Sequence, residues 1–332
     1  MRHNTPLSDR VISLPTYTNE ARDDALFHYT TANGLIGIFN TEEIWSTAYY
    51  CANDESELAA GQGVLEPLFR AKTHELIQAN DHRVQTFYGR GIDIRQYADA
   101  FEGQVSGMAL SLLCTYITCF CKATSKEDFL HGLLSQWRGY GSDGGYALQF
   151  SRLKLLAAID RANKAGELNY ELQDVDYAPA SPKKDELLRH SDAFISAYLA
   201  FLDDLAEPLN FDRERRSPIA GLTGGPLEAL LDYLAHTKNE HFSEEHECRL
   251  SLIEGISPQT SQLPVEYFNR SGLLVPYTST PRSTFNVLDC LEWIVIGPGP
   301  RMEARFKSVT QLLKQSGRNI RVRPSHIPFT RL

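Results

Sequence analysis

The chain reads as a single α+β domain. β-type runs are spread over its whole length, helix-length segments are mixed among them, and no internal repeat or low-complexity tract divides it. With 332 residues, 42% of them hydrophobic and 23% charged, it has the composition of a globular chain. Its length suits one large domain or two ordinary ones. The spread of strands favours one domain over residues 26–332, preceded by a polar lead-in over 1–25 and interrupted by helical insertions near 55–110 and 180–240.

Leu26 to Thr30 (LFHYT) is a short strand-like run. Thr30 or Thr31 then caps a helix with Leu35, Ile36, Ile38 and Phe39 as its apolar positions. Residues 43–47 alternate like a second strand. Asn53 or Asp54 suits the cap of a helix reaching about residue 79, and the acids that follow match the helix dipole. A helix pair over 81–110 is broken at Gly89-Arg90-Gly91. Residues 112–121 (LLCTYITCFC), β-branched and aromatic, form the strongest central strand. Residues 135–145 are turn-dense and feed a strand over 146–150; a helix over 151–165 and a strand over 170–177 follow. Helices over 183–206 and 228–240 flank a loop between Pro208 and Pro226. Strands over 247–253, 273–277 and 292–297, a helix near 301–316 and a strand over 320–323 close the chain.

Thirty-three Lys and Arg against 42 Asp and Glu give a net charge of −9. That sign argues against a protein that coats nucleic acid through its phosphates. Residues 301–332 go the other way, with eight Lys or Arg and one Glu. This tail is either a solvated terminal helix and strand, or a surface on which Arg301, Arg305, Lys307, Arg321 and Arg323 help to hold a phosphate-bearing acceptor. No apolar stretch reaches the roughly 18 residues of a membrane span, and the N-terminal MRHNTPLSDR lacks the apolar core of a signal peptide, so a cytoplasmic location is expected. The six cysteines contain no C-x-x-C pair and read as buried small hydrophobes of a reducing compartment, with no metal site expected.

Walker A, G-x-S-x-G and H-E-x-x-H are absent. Gly139-x-Gly141-x-x-Gly144 has the dinucleotide spacing but precedes a strand, so it offers no helix N-terminus to a pyrophosphate. Four features carry chemistry. His28, with Tyr29 and Thr30 on the early strand, is placed to donate to a ribose hydroxyl or phosphate; the alternative is a core histidine satisfied by backbone. Asn53 and its acidic neighbours are either a cap or a ligand contact. Trp137, Arg138 and Tyr140 stand among glycines, where an aromatic can stack, an arginine can pair with phosphate and the backbone can approach closely; the alternative is a structural turn. Glu245, Glu247 and Arg249 share one face if they lie on a strand, which makes either a polar cleft wall or a solvent-facing edge.

Taken together, these blocks resemble a bacterial family catalogued as domain of unknown function 2971. The resemblance runs through His28-Tyr29-Thr30 with the Gly-Leu-Ile-Gly-Ile helix, Ile44-Trp45-Ser46-Thr47, Asn53-Asp54-x-x-Glu57, Cys119-Phe120, Gln136-Trp137-Arg138-Gly139-Tyr140-Gly141, Gly144-Gly145-Tyr146-Ala147-Leu148, Lys238 with Phe242, Glu245-x-Glu247-x-Arg249 and Ile294-x-Ile296-Gly297-Pro298, over roughly 26–300. It departs at Cys248, where the family usually has Trp, and at Glu127-Asp128. By layout this family is similar to the ADP-ribosyltransferase superfamily, and that similarity implies a split mixed or antiparallel sheet core.

The resemblance implies NAD as a consumed substrate and no metal. It assigns His28 to the adenosine ribose, Tyr140 or Tyr146 to nicotinamide, Arg138 to the pyrophosphate, and Glu247 to the charge that develops on the ribose, with Glu245 orienting or deprotonating the nucleophile. The chain is then expected to be an ADP-ribosyltransferase, a toxin or antiviral effector that modifies a nucleic acid or protein and is held in check by a neutralising partner. The rivals are an NAD glycohydrolase and a non-catalytic nucleotide-sensing or scaffold domain. The layout requires His28, Tyr140 and Glu247 to line one cleft; His28 and Glu247 on opposite faces of the sheet would break it.

Overall fold

The structure, a computed structural model, describes residues 14–51, 63–112, 115–140, 144–166, 169–177, 182–207, 222, 224–253 and 263–327. Among these, one open sheet holds ten strands: β1 (Ala25–Thr30), β2 (Trp45–Ala48), β3 (Thr115–Lys122), β4 (Tyr146–Ser151), β5 (Tyr170–Asp174), β6 (Glu247–Ile253), β7 (Glu266–Arg270), β8 (Leu273–Ser279), β9 (Leu291–Ile296) and β10 (Arg321–Pro324). β10 runs parallel to β9 and the other pairings are antiparallel, so the sheet is mixed.

The long apolar run is the hub, as its β-branched composition predicts. On one edge β3 pairs with β6 along Thr115–Cys121. On the other edge two strands share it: β1 at Cys121 and Lys122, and β2 at Tyr116 and Ile117. Between them the edge forks, and side chains bridge the gap. His28 Nδ1 bonds the Cys119 carbonyl oxygen at 3.0 Å, and the Thr118 hydroxyl donates to the Trp45 carbonyl oxygen at 2.9 Å while meeting the Ser46 hydroxyl at 2.8 Å.

Twelve helices are labelled in chain order: α1 (Asn19–Asp24), α2 (Ala32–Thr41), α3 (Glu66–Gln78), α4 (His82–Gly89), α5 (Gln96–Leu112), α6 (Lys126–His131), α7 (Leu134–Tyr140), α8 (Arg152–Lys164), α9 (Pro182–Arg189), α10 (Ser191–Ala206), α11 (Gly225–His236) and α12 (Met302–Ser316). One face of the sheet, carrying Leu26, Phe120, Leu148, Phe150, Leu250 and Ile294, is covered by α2, α8 and α12. Thr31 caps α2 by accepting the Gly34 amide. The opposite face, carrying Phe27, Tyr29, Ala147 and Val295, is covered by α6 and α7. Helices α3–α5 and α9–α11 build a second core of their own around Phe69, Phe101, Tyr198 and Leu230. This helical unit is tied to the sheet by Tyr49, whose hydroxyl donates to the Leu234 carbonyl oxygen at 3.0 Å. No helix of the described residues is long and apolar enough to cross a membrane.

Three local expectations change. Residues 134–140 form a helix and not a turn, because Trp137 is buried in the core under the sheet and its burial overrides the glycines that follow. Lys183 to Ala206 is broken into two helices at His190, and β7 is a further strand that EYFNR does not announce by alternation. The start expected at Asn53 lies, with residues 52–62, outside the described residues; residues 63–65 are not helical, and α3 begins at Glu66.

Gly297 permits the close packing of α7 on the sheet. Its amide donates to the Gly145 carbonyl oxygen at 2.8 Å, and a Cβ there would fall 2.7 Å from that oxygen and 2.7 Å from the Trp137 ring. Gly297→Ala is expected to cost about 1–3 kcal/mol through overpacking, read as a lower urea midpoint with an unchanged m-value.

Candidate functional site

Strand alternation and the β3–β6 register put Glu247 beside Cys121 and Arg249 beside Cys119, all on the face opposite Phe120 and Cys248. Glu245 is not on the strand. It ends a 3₁₀ turn over Glu240–Glu245, and His246 then takes a left-handed backbone (φ 43°) that turns the chain into β6. The kink brings both carboxylates to one ammonium. Lys238 Nζ lies 2.7 Å from Glu245 Oε2 and 3.2 Å from Glu247 Oε2. Lys238 sits just past the end of α11, where its amide donates to the Asp176 carbonyl oxygen and its Nζ lies 4.8 Å from the centre of the Phe242 ring. Arg249 donates to Glu247 through Nε at 2.8 Å and Nη2 at 3.1 Å, and through Nη1 to the Ala235 carbonyl oxygen at 2.6 Å.

Glu247 is 3% exposed, Lys238 6% and Arg249 fully buried, whereas the Glu245 side chain is 25% exposed. Burial alone would raise the Glu247 carboxyl. The Arg249 guanidinium, then Lys238 and the Cys119 thiol, overcome it and hold the group down at about 2, so it is a fixed anion at neutral pH. Burial raises the Tyr177 phenol, whose oxygen accepts the Glu247 amide at 2.9 Å. Beside the cluster, on the side of Glu244 and His246, an open groove of about 460 Å³ is lined also by Thr124, Asp128, Leu133, Ser135 and the exposed Arg138.

The remaining candidates divide. His28 shares the face of Phe120, Leu26 and Leu148: its ring lies 5.9 Å from Phe120 and its Nδ1 is spent on Cys119. Burial lowers its pKa. Thr30 and Tyr146 alternate onto that same face, where Tyr146 is core. His28 and Glu247 are therefore on opposite faces, and the required single cleft is not formed.

Tyr29 and Trp137 are corrected from ligand contacts to core. Their rings meet edge-on at 4.9 Å, Tyr29 Oη accepts the Leu133 amide at 2.6 Å, and Trp137 Nε1 donates to the His131 carbonyl oxygen at 2.9 Å. Tyr140 is exposed at the end of α7, and Asn53 lies outside the described residues. Only Arg138, Glu245 and Glu247 of the candidates stand at or beside one site. Lys238, Tyr177 and Cys119 join it; Cys119 is exposed, against the expectation of uniformly buried thiols.

The basic tail is also corrected. Arg323 is fully buried. Arg305 donates to the Gly144 and Pro300 carbonyl oxygens, filling the space where a Gly144 side chain would stand. Lys307 pairs with Glu303 at 2.9 Å.

Among the described residues no group of three His, Cys, Asp or Glu side chains converges as a metal site. No curated protein and no solved structure matches the chain. The model of a family described as Protein of unknown function (DUF2971) matches residues 136–250, a stretch shorter than the blocks suggest. That stretch runs from the Gln136-Trp137-Arg138 helix through Lys238, Glu245, Glu247 and Arg249, and over it the chain is similar to the DUF2971 family.

Proposed function

We propose that the Lys238 cluster and the groove beside it are the active site of an enzyme that cleaves a glycosidic bond of a nucleotide, with NAD as the substrate and ADP-ribosyl transfer to a nucleic acid or protein as the outcome. The observation that carries this reading is the pair of carboxylates on one ammonium. A cluster of four charges, three of them buried, is costly to assemble, and apolar residues would fill the same space more cheaply; such clusters concentrate at functional sites. Glu245 is the member that keeps solvent exposure, and it lies in sequence between the groove residues Glu244 and His246. Glu247, a fixed anion behind it, sets the field into which positive charge develops as the bond from ribose to nicotinamide lengthens. Arg138 in the groove supplies a guanidinium for the phosphates. His28 has no part in this arrangement, and the proposal no longer rests on the superfamily layout.

The test follows free nicotinamide while the protein is incubated with NAD and cell lysate. Glu245→Gln is expected to lower the rate by about 10²–10³-fold with an unchanged melting temperature, since a partly exposed ion pair contributes little to stability. Label from NAD that stays on macromolecules marks transfer; label found only as free ADP-ribose marks hydrolysis. A second reading, a non-catalytic scaffold domain, is favoured by one observation: Arg249 joins Glu247 to the Ala235 carbonyl oxygen and so fastens the helical unit to the sheet. Wild-type protein that releases no nicotinamide and does not poison the cell supports that reading.

A further inference from the structure

Trp45, at the start of β2, is an exposed indole held rigidly. Its ring stacks on Tyr277 with centroids 4.0 Å apart and planes inclined by 27°, and it meets Phe268 at 5.6 Å. Tyr277 is anchored by its hydroxyl, which donates to Glu266 at 2.7 Å. Even so, 39% of Trp45 remains exposed. Its place relative to the Lys238 cluster follows from register. Thr47 pairs with Ile117, so Trp45, two residues earlier, shares the face of Ile117, Cys119, Glu247 and Arg249. The Trp45 carbonyl oxygen accepts the Thr118 hydroxyl, which sets this residue abreast of Cys119, itself the cross-strand partner of Arg249.

We propose that Trp45 is the stacking platform for the planar heteroaromatic ring of the nucleotide, a deepening that rests on the reading above. A fixed aromatic surface with an open side, on the same sheet face as an acid pair, has the geometry that nucleotide sites use: a π-face for the base and charges for the ribose and phosphates. An apolar peptide side chain would cover only part of so flat a face and would have to be ordered to do so. A base gains stacking area without ordering a flexible side chain.

The chain offers its own probe. Of its three tryptophans, Trp137 and Trp293 are buried, so Trp45 is the one that iodide should reach. The full chain is titrated with NAD, adenosine monophosphate and ribose 5-phosphate, following tryptophan emission and, separately, binding heat. NAD and the monophosphate are expected to quench the iodide-accessible emission, and ribose 5-phosphate is not. Trp45→Phe should leave emission that does not respond to NAD. Trp45→Ala should raise KM for NAD about tenfold with kcat little changed, since stacking binds ground and transition states alike. Heat of NAD binding with unaltered Trp45 emission overturns the platform while leaving the active-site reading in place. No heat with any nucleotide overturns both. The wild-type titration decides the matter even if an alanine variant fails to fold.

Discussion

Glu247→Gln is expected to abolish nicotinamide release and also to destabilise the fold by about 3–5 kcal/mol, because it leaves Arg249 and Lys238 buried without their shared anion. The double effect separates this residue from Glu245, whose replacement is expected to remove activity alone. The loss is read as a drop in urea midpoint at neutral pH. Its pH dependence identifies the cause. A carboxyl held at about 2 in the folded chain, against an ordinary 4.5, binds fewer protons folded than unfolded. Its contribution is complete above about pH 5, and it is lost as the pH falls from 4.5 toward 2. The difference in stability between wild type and Glu247→Gln should therefore be constant from pH 7 to 5 and shrink below. Asp174, which Lys122 and Arg152 hold below its ordinary range against the opposing effect of burial, is present in both proteins and cancels. A difference that persists unchanged to pH 3 would mean that Glu247 is neutral in the fold and that the cluster is wrongly described.

The parts legible in the sequence are those where one local signal settles the outcome. Residues 115–122 are β-branched and aromatic without interruption, and they became the hub of the sheet. Thr31 announces its helix by type and position. The site was legible only as far as single residues carry it. Glu247 and Arg249 share a face because strands alternate, but the assumption that Glu245 continues the strand fails at the left-handed turn of His246. Lys238 acquires meaning only when the end of α11 docks over β6, a contact between segments with no mutual pattern in the chain. His28 failed for a different reason. A strand's two faces are decided by register, and a shift of one residue moves every side chain across the sheet. The alternation of ALFHYT is compatible with either face, and pairing with β3 and β4 chose the one away from Glu247. The glycines after Trp137 signalled a loop, and the burial of Trp137 in the core under the sheet outweighed them.

Charge reversal in the tail gives the clearest contrast between composition and structure. As a surface for an acceptor, Arg321 and Arg323 would lose nucleic-acid modification together and spare nicotinamide release. The structure gives them unrelated roles. Arg321 is exposed, with its guanidinium 5.4 Å from the centre of the Trp293 ring. Arg323 is fully buried with no carboxylate partner among the described residues, and burial pulls its pKa down to about 9, so it still carries a proton at neutral pH. What holds the cation is the end of α6: Nε donates to the Leu130 carbonyl oxygen at 2.7 Å, and Nη2 donates to the Phe129 carbonyl oxygen at 2.7 Å and to Gln149 Oε1 at 2.6 Å. These are the unpaired carbonyls and negative pole of a helix C-terminus, and the Trp293 face 4.9 Å away adds to them. Removing the guanidinium strands three buried acceptors, each at about 1–3 kcal/mol. Arg323→Met is therefore expected to cost about 3 kcal/mol or more, and Arg323→Glu, which places an anion among carbonyl oxygens, more still. Arg321→Glu should stay within about 0.5 kcal/mol of wild type, as exposed substitutions do. Urea denaturation of the three variants reads this directly, and equal midpoints for Arg321→Glu and Arg323→Glu would show that Arg323 is not the anchor of α6.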